Sequence, residues 1–262
     1  MSAIEFAGCR AIITGASSGI GRTLALALAV RGARLGLLAR RREELDRLAE
    51  EIREAGSEAF VATADVAVRE EAEAAAAELA AQLGGVDLLV NNAGYGHHRR
   101  FLDWDVEDME RMMRVNYLGA LYTTKALLPA MVARGAGTLV FVASVAGKIA
   151  PPDESAYAAS KFAMVGLAES ISLELEEHGI HVLTVCPGAI RTPFFDAEAL
   201  ERMPAVAKKS MVPVEDLVAS IVKALERGSH EVTYPQFIRA GYVVRALAPS
   251  FMRSQVRRTT MR

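Results

Sequence analysis

Cys9-Arg10-Ala11-Ile12-Ile13-Thr14 runs straight into Gly15-Ala16-Ser17-Ser18-Gly19-Ile20-Gly21 and then into the Ala/Leu-rich segment from Arg22 to Arg31. A short apolar run is what a strand buried on both faces requires. The glycine cluster that follows permits a tight turn, and the next residues carry helical periodicity. Strand, glycine-rich turn and helix together present backbone N–H groups and a helix N-terminus to a phosphate. Glycine matters there because a Cβ would hold the backbone away from the ligand. The spacing G-x-x-x-G-x-G differs from the G-x-G-x-x-G of many dinucleotide folds. A bare glycine turn can be only a tight connection, but the flanking strand and helix favour the phosphate reading.

The same alternation continues outward. Arg34 to Ala39 is a second strand, followed by Arg40-Arg41-Arg42 and a charged helix from Glu43 to Ala55. Where a nucleotide-binding unit would place an acid on a ribose 2′-OH, this chain has Ala39 and then Arg40, which suits a 2′-phosphate. Arg40 and Arg41 therefore favour NADP over NAD, whereas Arg42 reads equally as a solvated helix start. Glu58 to Thr63 is a third strand ending at Asp65-Val66, and Val68 to Leu83 is a helix. Val86 to Val90 is a fourth strand entering Asn91-Asn92-Ala93-Gly94, small and amide residues that let a ligand approach the sheet. Helices are expected over Asp105–Met113 and Asn116–Ala133, with Asn116 as a cap or a core amide. Thr138 to Ala143 is a fifth strand that delivers Ser144, Ser155 to His178 is a helix, and Ile180 to Val185 is a sixth strand ending at Cys186-Pro187-Gly188. Val214–Arg227 and Glu231–Tyr234 read as a further helix and a last strand. Uninterrupted alternation predicts a single α/β domain with one doubly wound parallel sheet of about seven strands and helices on both faces.

On the helix from Ser155, Tyr157 and Lys161 stand one turn apart on one face. An ammonium beside a phenol favours phenolate, and Ser144, thirteen residues upstream of Tyr157, offers a hydroxyl to a reacting carbonyl oxygen. Such a pair alone also arises by chance on helix surfaces. Here it joins the glycine turn, Asn91–Gly94, Asn116, Ser144 and Pro187-Gly188 in order and near spacings that resemble those of the short-chain dehydrogenase/reductase (SDR) family over roughly residues 6 to 235. The resemblance implies a Rossmann-type fold and NAD(P)-linked interconversion of a carbonyl and an alcohol. It implies Tyr157 as general acid or base and Lys161 as the group that lowers the Tyr157 pKa and bonds the nicotinamide ribose. Ser144 would polarise the carbonyl, and Asn116 would hold a water of a proton relay. It further implies Gly15, Ser17, Ser18, Gly19, Ile20 and Gly21 at the pyrophosphate, Asp65 and Val66 beside the adenine, and Asn92, Ala93 and Gly94 along the cofactor. Pro187, Gly188, Ile190 and Thr192 would lie at the nicotinamide. Family members are commonly dimers or tetramers, which implies a homodimer or homotetramer here.

Composition limits the remaining choices. The chain has 262 residues, 52% of them apolar, two cysteines and a net charge of −2. No apolar run approaches the roughly 20 residues of a membrane span, and no secretory signal is legible at Met1-Ser2-Ala3. The expectation is a cytoplasmic protein with free thiols, no metal site and no nucleic-acid partner. Phe194, Phe195, Leu200 and Met203 suggest either an apolar substrate or a lid packed on the body, and Tyr95, His97 and His98 lie where they could edge a substrate cleft, although adjacent loop histidines are usually just solvated. Residues 236–262 form a basic amphipathic extension with six arginines and no acid. It could lie on an anionic membrane, cover the cleft or pack on a partner subunit, and partner packing is favoured. The function expected is NADP(H)-dependent reduction of a hydrophobic ketone or oxidation of a secondary alcohol. The alternatives are an NAD-dependent alcohol dehydrogenase and an NADP(H)-sensing regulator without turnover, against which the intact Asn116, Ser144, Tyr157, Lys161 set argues.

Overall fold

The computed structural model describes residues 4–194, 208 and 210–260. Its frame is a seven-stranded sheet built from β1 (Arg10–Thr14), β2 (Arg34–Ala39), β3 (Ala59–Thr63), β4 (Leu88–Asn91), β5 (Gly137–Val142), β6 (Ile180–Pro187) and, last in sequence, β9 (Glu231–Tyr234). The order across the sheet is β3-β2-β1-β4-β5-β6-β9, and every pairing is parallel. The doubly wound sheet expected from the sequence is present. A separate pair, β7 (Ile190–Arg191) and β8 (Val212–Pro213), sits beyond the end of β6.

The strands are apolar at nearly every position because helices cover both faces. One buried cluster joins β1 and β2 to α1 (Gly19–Ala29), α2 (Arg42–Glu54) and α7 (Val214–Arg227) through Leu24, Leu28, Leu45 and Ile221. The other joins the opposite face to α3 (Arg69–Leu83), α5 (Gly119–Arg134) and α6 (Ser155–Glu174) through Leu79, Leu127, Met131 and Met164. Each fully buried Leu or Ile contributes about 1.5–3 kcal/mol, so these two layers hold the strand ends rigid. The chain runs β1-β2-β3 to one edge and then returns to β4 on the other side of β1. That reversal opens a crevice at the C-terminal ends of β1 and β4.

Helix α4 (Val106–Met113) continues into α5 through one π-helical turn, Arg114–Leu118, which contains Asn116. The expected helix from Asn116 therefore starts later, and Asn116, fully buried, is a core amide and not a cap. Such single-turn widenings of a helix gather at functional sites. After β9 the chain forms α8 (Arg239–Leu247) and α9 (Pro249–Thr260). This extension lies on the segment around 148–162: Lys148 sits over the Tyr242 ring, and Arg245 stacks on Phe162 and donates to the Lys148 carbonyl. Phe237, Val243, Leu247 and Phe251 remain exposed. Among the described residues no helix is long and apolar enough to cross a membrane.

Candidate active site

A cleft of about 650 Å³ follows the C-terminal ends of the strands, with the glycine turn at one end and Tyr157 towards the other. The turn is clamped from below. Thr14 Oγ1 accepts hydrogen bonds from the N–H groups of Asn92 and Ala93, both at 3.0 Å, while Asn92 Nδ2 donates to the carbonyls of Thr14 and Gly15 at 2.9 and 3.2 Å. Gly15 has φ +65°, and a Cβ there would stand 2.8 Å from Ala93 Cα, so only glycine fits. Helix α1 then starts after Ser18, which makes no side-chain cap, and has no acid in its first turn. Its free N–H groups and positive dipole end face the cleft. Arg40 and Arg41 line the same end, and Arg41 donates to Ser17 Oγ at 2.9 Å. The acid bordering this end, Asp65, is already paired with Arg111. Burial opposes its ionisation, but the Arg111 guanidinium, the Ala67 N–H and the Arg40 charge hold its carboxyl below the usual range. An uncapped helix end flanked by two arginines fits the phosphates of a nicotinamide dinucleotide.

The reactive end is assembled from two other elements. Ser144 leaves β5 in extended conformation; its Oγ accepts from Ala146 N at 3.1 Å and shares a side-chain hydrogen bond with Tyr157. Helix α6 sets Tyr157 and Lys161 one turn apart, with Nζ 5.7 Å from the Tyr157 ring centroid. Lys161 is buried, donates to the Val142 carbonyl at 2.9 Å, and is pulled down to about 8 by desolvation. The lowered Tyr157 pKa implied by family resemblance is not what the polypeptide alone produces. Burial pushes the phenol above its usual value, the Ser144 hydrogen bond opposes this, and Glu154 and Cys186 add to it. The Lys161 ammonium is turned onto a carbonyl, so burial prevails. Gly94 keeps the approach to that ammonium open, since a Cβ would stand 3.4 Å from Nζ and 3.1 Å from Asn116 Oδ1.

Asn116 works through its amide. Oδ1 accepts from Tyr95 N at 3.0 Å, and Nδ2 donates to Tyr95 O and Ser160 Oγ at 2.9 and 3.0 Å, so the side chain ties the loop after β4 to α6. Val66, Ala93, Pro187, Gly188, Ile190 and Thr192 all line the cleft. Gly21 does not: a Cβ there would meet Gly15 O at 2.5 Å, and its role is to let the turn fold on itself. Phe194 lies 5.6 Å from the Tyr157 ring, centroid to centroid, while Phe195, Leu200 and Met203 fall outside the described residues. His97 is exposed as expected of a loop histidine, but His98 is not: its Nδ1 lies 3.2 Å from Glu154 Oε1. Sequence reasoning missed Glu154, Ser160 and the clefted Ile149 and Ile238, which packing brings to the site.

Residues 10–202 match the family model described as short chain dehydrogenase. The oxidoreductase UcpA of Salmonella typhimurium is 40% identical over 201 residues, covering 76% of each chain. The mouse dehydrogenase/reductase SDR family member 7B is 40% identical over 187 residues, covering 69% of this chain and 57% of its own. A short-chain dehydrogenase/reductase from Burkholderia phymatum, solved in complex with NAD, superposes with a TM-score of 0.86 at 28% identity, over 95% of this chain and 96% of that one. An alcohol dehydrogenase from Thermococcus sibiricus, complexed with 5-hydroxy-NADP, gives 0.77 at 28% identity over 86% and 95%. Sheet order, clamped glycine turn and sequence similarity over most of the chain agree: this protein belongs to the short-chain dehydrogenase/reductase family of oxidoreductases.

Proposed function

We propose that the chain is an NADP(H)-dependent oxidoreductase interconverting a hydrophobic ketone and its secondary alcohol. The observation that carries this reading is the meeting of Ser144, Tyr157 and Lys161 in the same cleft as the uncapped N-terminus of α1. The bound nicotinamide supplies or takes up the hydride. In this reading the Ser144 and Tyr157 hydroxyls hydrogen-bond the carbonyl oxygen and stabilise the charge that grows on it. Tyr157, held as phenol at neutral pH by burial, has its proton available when that oxygen becomes an alkoxide, a stronger base than phenolate. Lys161, brought down to about 8, exchanges a proton close to neutrality and stands beside the phenol to restore it. In the oxidative direction Tyr157 must first lose its proton, so alcohol oxidation is expected to climb with pH above neutrality.

Arg40 and Arg41, with no carboxylate at the end of β2, support NADP. The Burkholderia neighbour in complex with NAD supports a second reading, NAD as the working cofactor. Apolar walls at Ile149, Pro151, Phe194 and Ile238 support a largely hydrophobic substrate. Reduction of a panel of ketones, followed by loss of NADPH absorbance at 340 nm beside a parallel series with NADH, decides among these. Turnover with NADPH that vanishes in Tyr157→Phe supports the proposal. Faster turnover with NADH selects the second reading, and tight NADPH binding without turnover of any carbonyl rejects both.

A further inference from the structure

Three residues before Tyr157, the walls of the proposed substrate end are broken by one largely covered acid, Glu154. Glu154 flanks the start of α6, and its carboxylate meets His98 Nδ1 at 3.2 Å with only 20% and 11% of the two side chains exposed. Both line the cleft among Ile149, Pro151 and Phe194. Among the described residues the Glu154 carboxylate has no other hydrogen-bond partner. A carboxyl group held in apolar surroundings is costly unless its lone pairs are satisfied. Loop closure does not require the pair, because the Arg99 N–H already donates to the Asp153 carbonyl at 2.8 Å and ties the same two loops.

We propose that Glu154 and His98 form a hydroxyl-recognition subsite, and that the substrate is an apolar carbonyl compound carrying a hydroxyl a few bonds from the reacting carbonyl, since Glu154 lines the same cleft three residues before Tyr157. The inference rests on the carbonyl-reductase reading and adds to it the substrate's second polar group. Burial and the neighbouring Asp153 push Glu154 up to about 7, so acid and anion coexist near neutrality. A hydroxyl both donates and accepts and suits either form, whereas an ammonium suits only the anion. The oxygen of Glu154 turned away from His98 takes the ligand's O–H, and the ligand oxygen accepts in turn when the carboxyl is protonated.

The test compares kcat/KM for 4-hydroxycyclohexanone and cyclohexanone with NADPH, in wild type, Glu154→Gln, Glu154→Leu and His98→Leu. Wild type is expected to favour the hydroxyketone by about 10- to 100-fold, the net value of one hydrogen bond to a charged group. Glu154→Leu should bring the ratio close to one, with Glu154→Gln between, and His98→Leu serves if Glu154→Leu does not fold. Binding is read independently from Trp104, the single tryptophan, whose ring lies 6.4 Å from that of His97. Its fluorescence should report tighter binding of cyclohexane-1,4-diol than of cyclohexanol. A wild-type ratio near one, a ratio that survives Glu154→Leu, or variants that lower only the melting temperature would overturn the subsite and leave a loop clasp. Preference for 4-aminocyclohexanone over the hydroxyketone would replace it with a cation site. If no ketone turns over with NADPH or NADH, the reductase reading fails by itself, and the diol-to-cyclohexanol affinity ratio still decides the subsite.

Discussion

The two ends of the cleft are made in different ways. The end proposed for the dinucleotide is built from consecutive residues, Thr14 to Gly21, clamped by Asn92 and flanked by Arg40 and Arg41, all at or just after neighbouring strand ends. The end proposed for the substrate gathers His98, Glu154, Phe194 and Ile238 from four separate segments. Strand ends held by two buried layers can present backbone groups with little freedom, which suits a cofactor common to many substrates. Loops tied by a few contacts can change without disturbing the sheet, which suits selection among substrates. Tyr157 and Lys161 lie between, on a helix anchored in the core but facing the loops.

If that division holds, the largest effect belongs at the junction. Tyr157→Phe removes the proposed proton donor while keeping the ring against Phe194, so kcat should fall about 10²–10⁴-fold. NADPH affinity, measured by fluorescence titration, should change by less than about threefold, because the dinucleotide end is separate. A comparable loss of cofactor affinity would break the division.

The next effect concerns the cost of the buried ammonium. Lys161 titrates near 8 in the folded protein, against 10.5 for a lysine free in water, so between these values the unfolded chain binds more protons. Stability from this group therefore rises as pH climbs from 8 to 10.5, and the full penalty, about 3 kcal/mol at 1.36 kcal/mol per pH unit, is present below 8. Lys161→Met should be inactive yet show a flatter rise of melting temperature across that window than wild type. An equal rise in both would remove Lys161 as its cause.

Glu154 has the opposite sign. Its folded value of about 7 lies above the ordinary 4.5, so its contribution is fully present below 4.5 and is lost as pH rises through 7. Glu154→Gln should flatten that decline by about 2 kcal/mol, less than the bare shift implies because His98 partly compensates the anion. Denaturant midpoints at pH 4.5 and 7.5 measure it. Smallest is the effect at the exposed rim of the dinucleotide end. Arg40→Asp should raise the KM for NADPH about tenfold and leave that for NADH within about threefold. Equal changes for both cofactors would mean that Arg40 does not read the 2′-phosphate.

Legibility in the sequence follows the same division. Thr14 to Gly21, Ser144, Tyr157 and Lys161 could be found because strand period, glycine punctuation and a four-residue helical spacing are local signals. The π turn at Asn116 could not, since the buried amide within it bonds to Tyr95 and Ser160, residues 21 and 44 positions away. His98 looked like a solvated loop histidine because nothing near it in sequence announces Glu154, 56 residues on.

The sequence by itself determined the alternation of strands and helices, hence the doubly wound sheet, and the residue types to which we assign phosphate binding and proton transfer. Those follow from short-range sterics and from apolar periodicity, which act over a few residues. Only the tertiary structure decided the upward shift of the Tyr157 phenol, the direction of the Lys161 ammonium and the pairing of Glu154 with His98. Each depends on burial and on partners from distant segments, and desolvation in a packed interior outweighs what the neighbouring residue types would dictate in water.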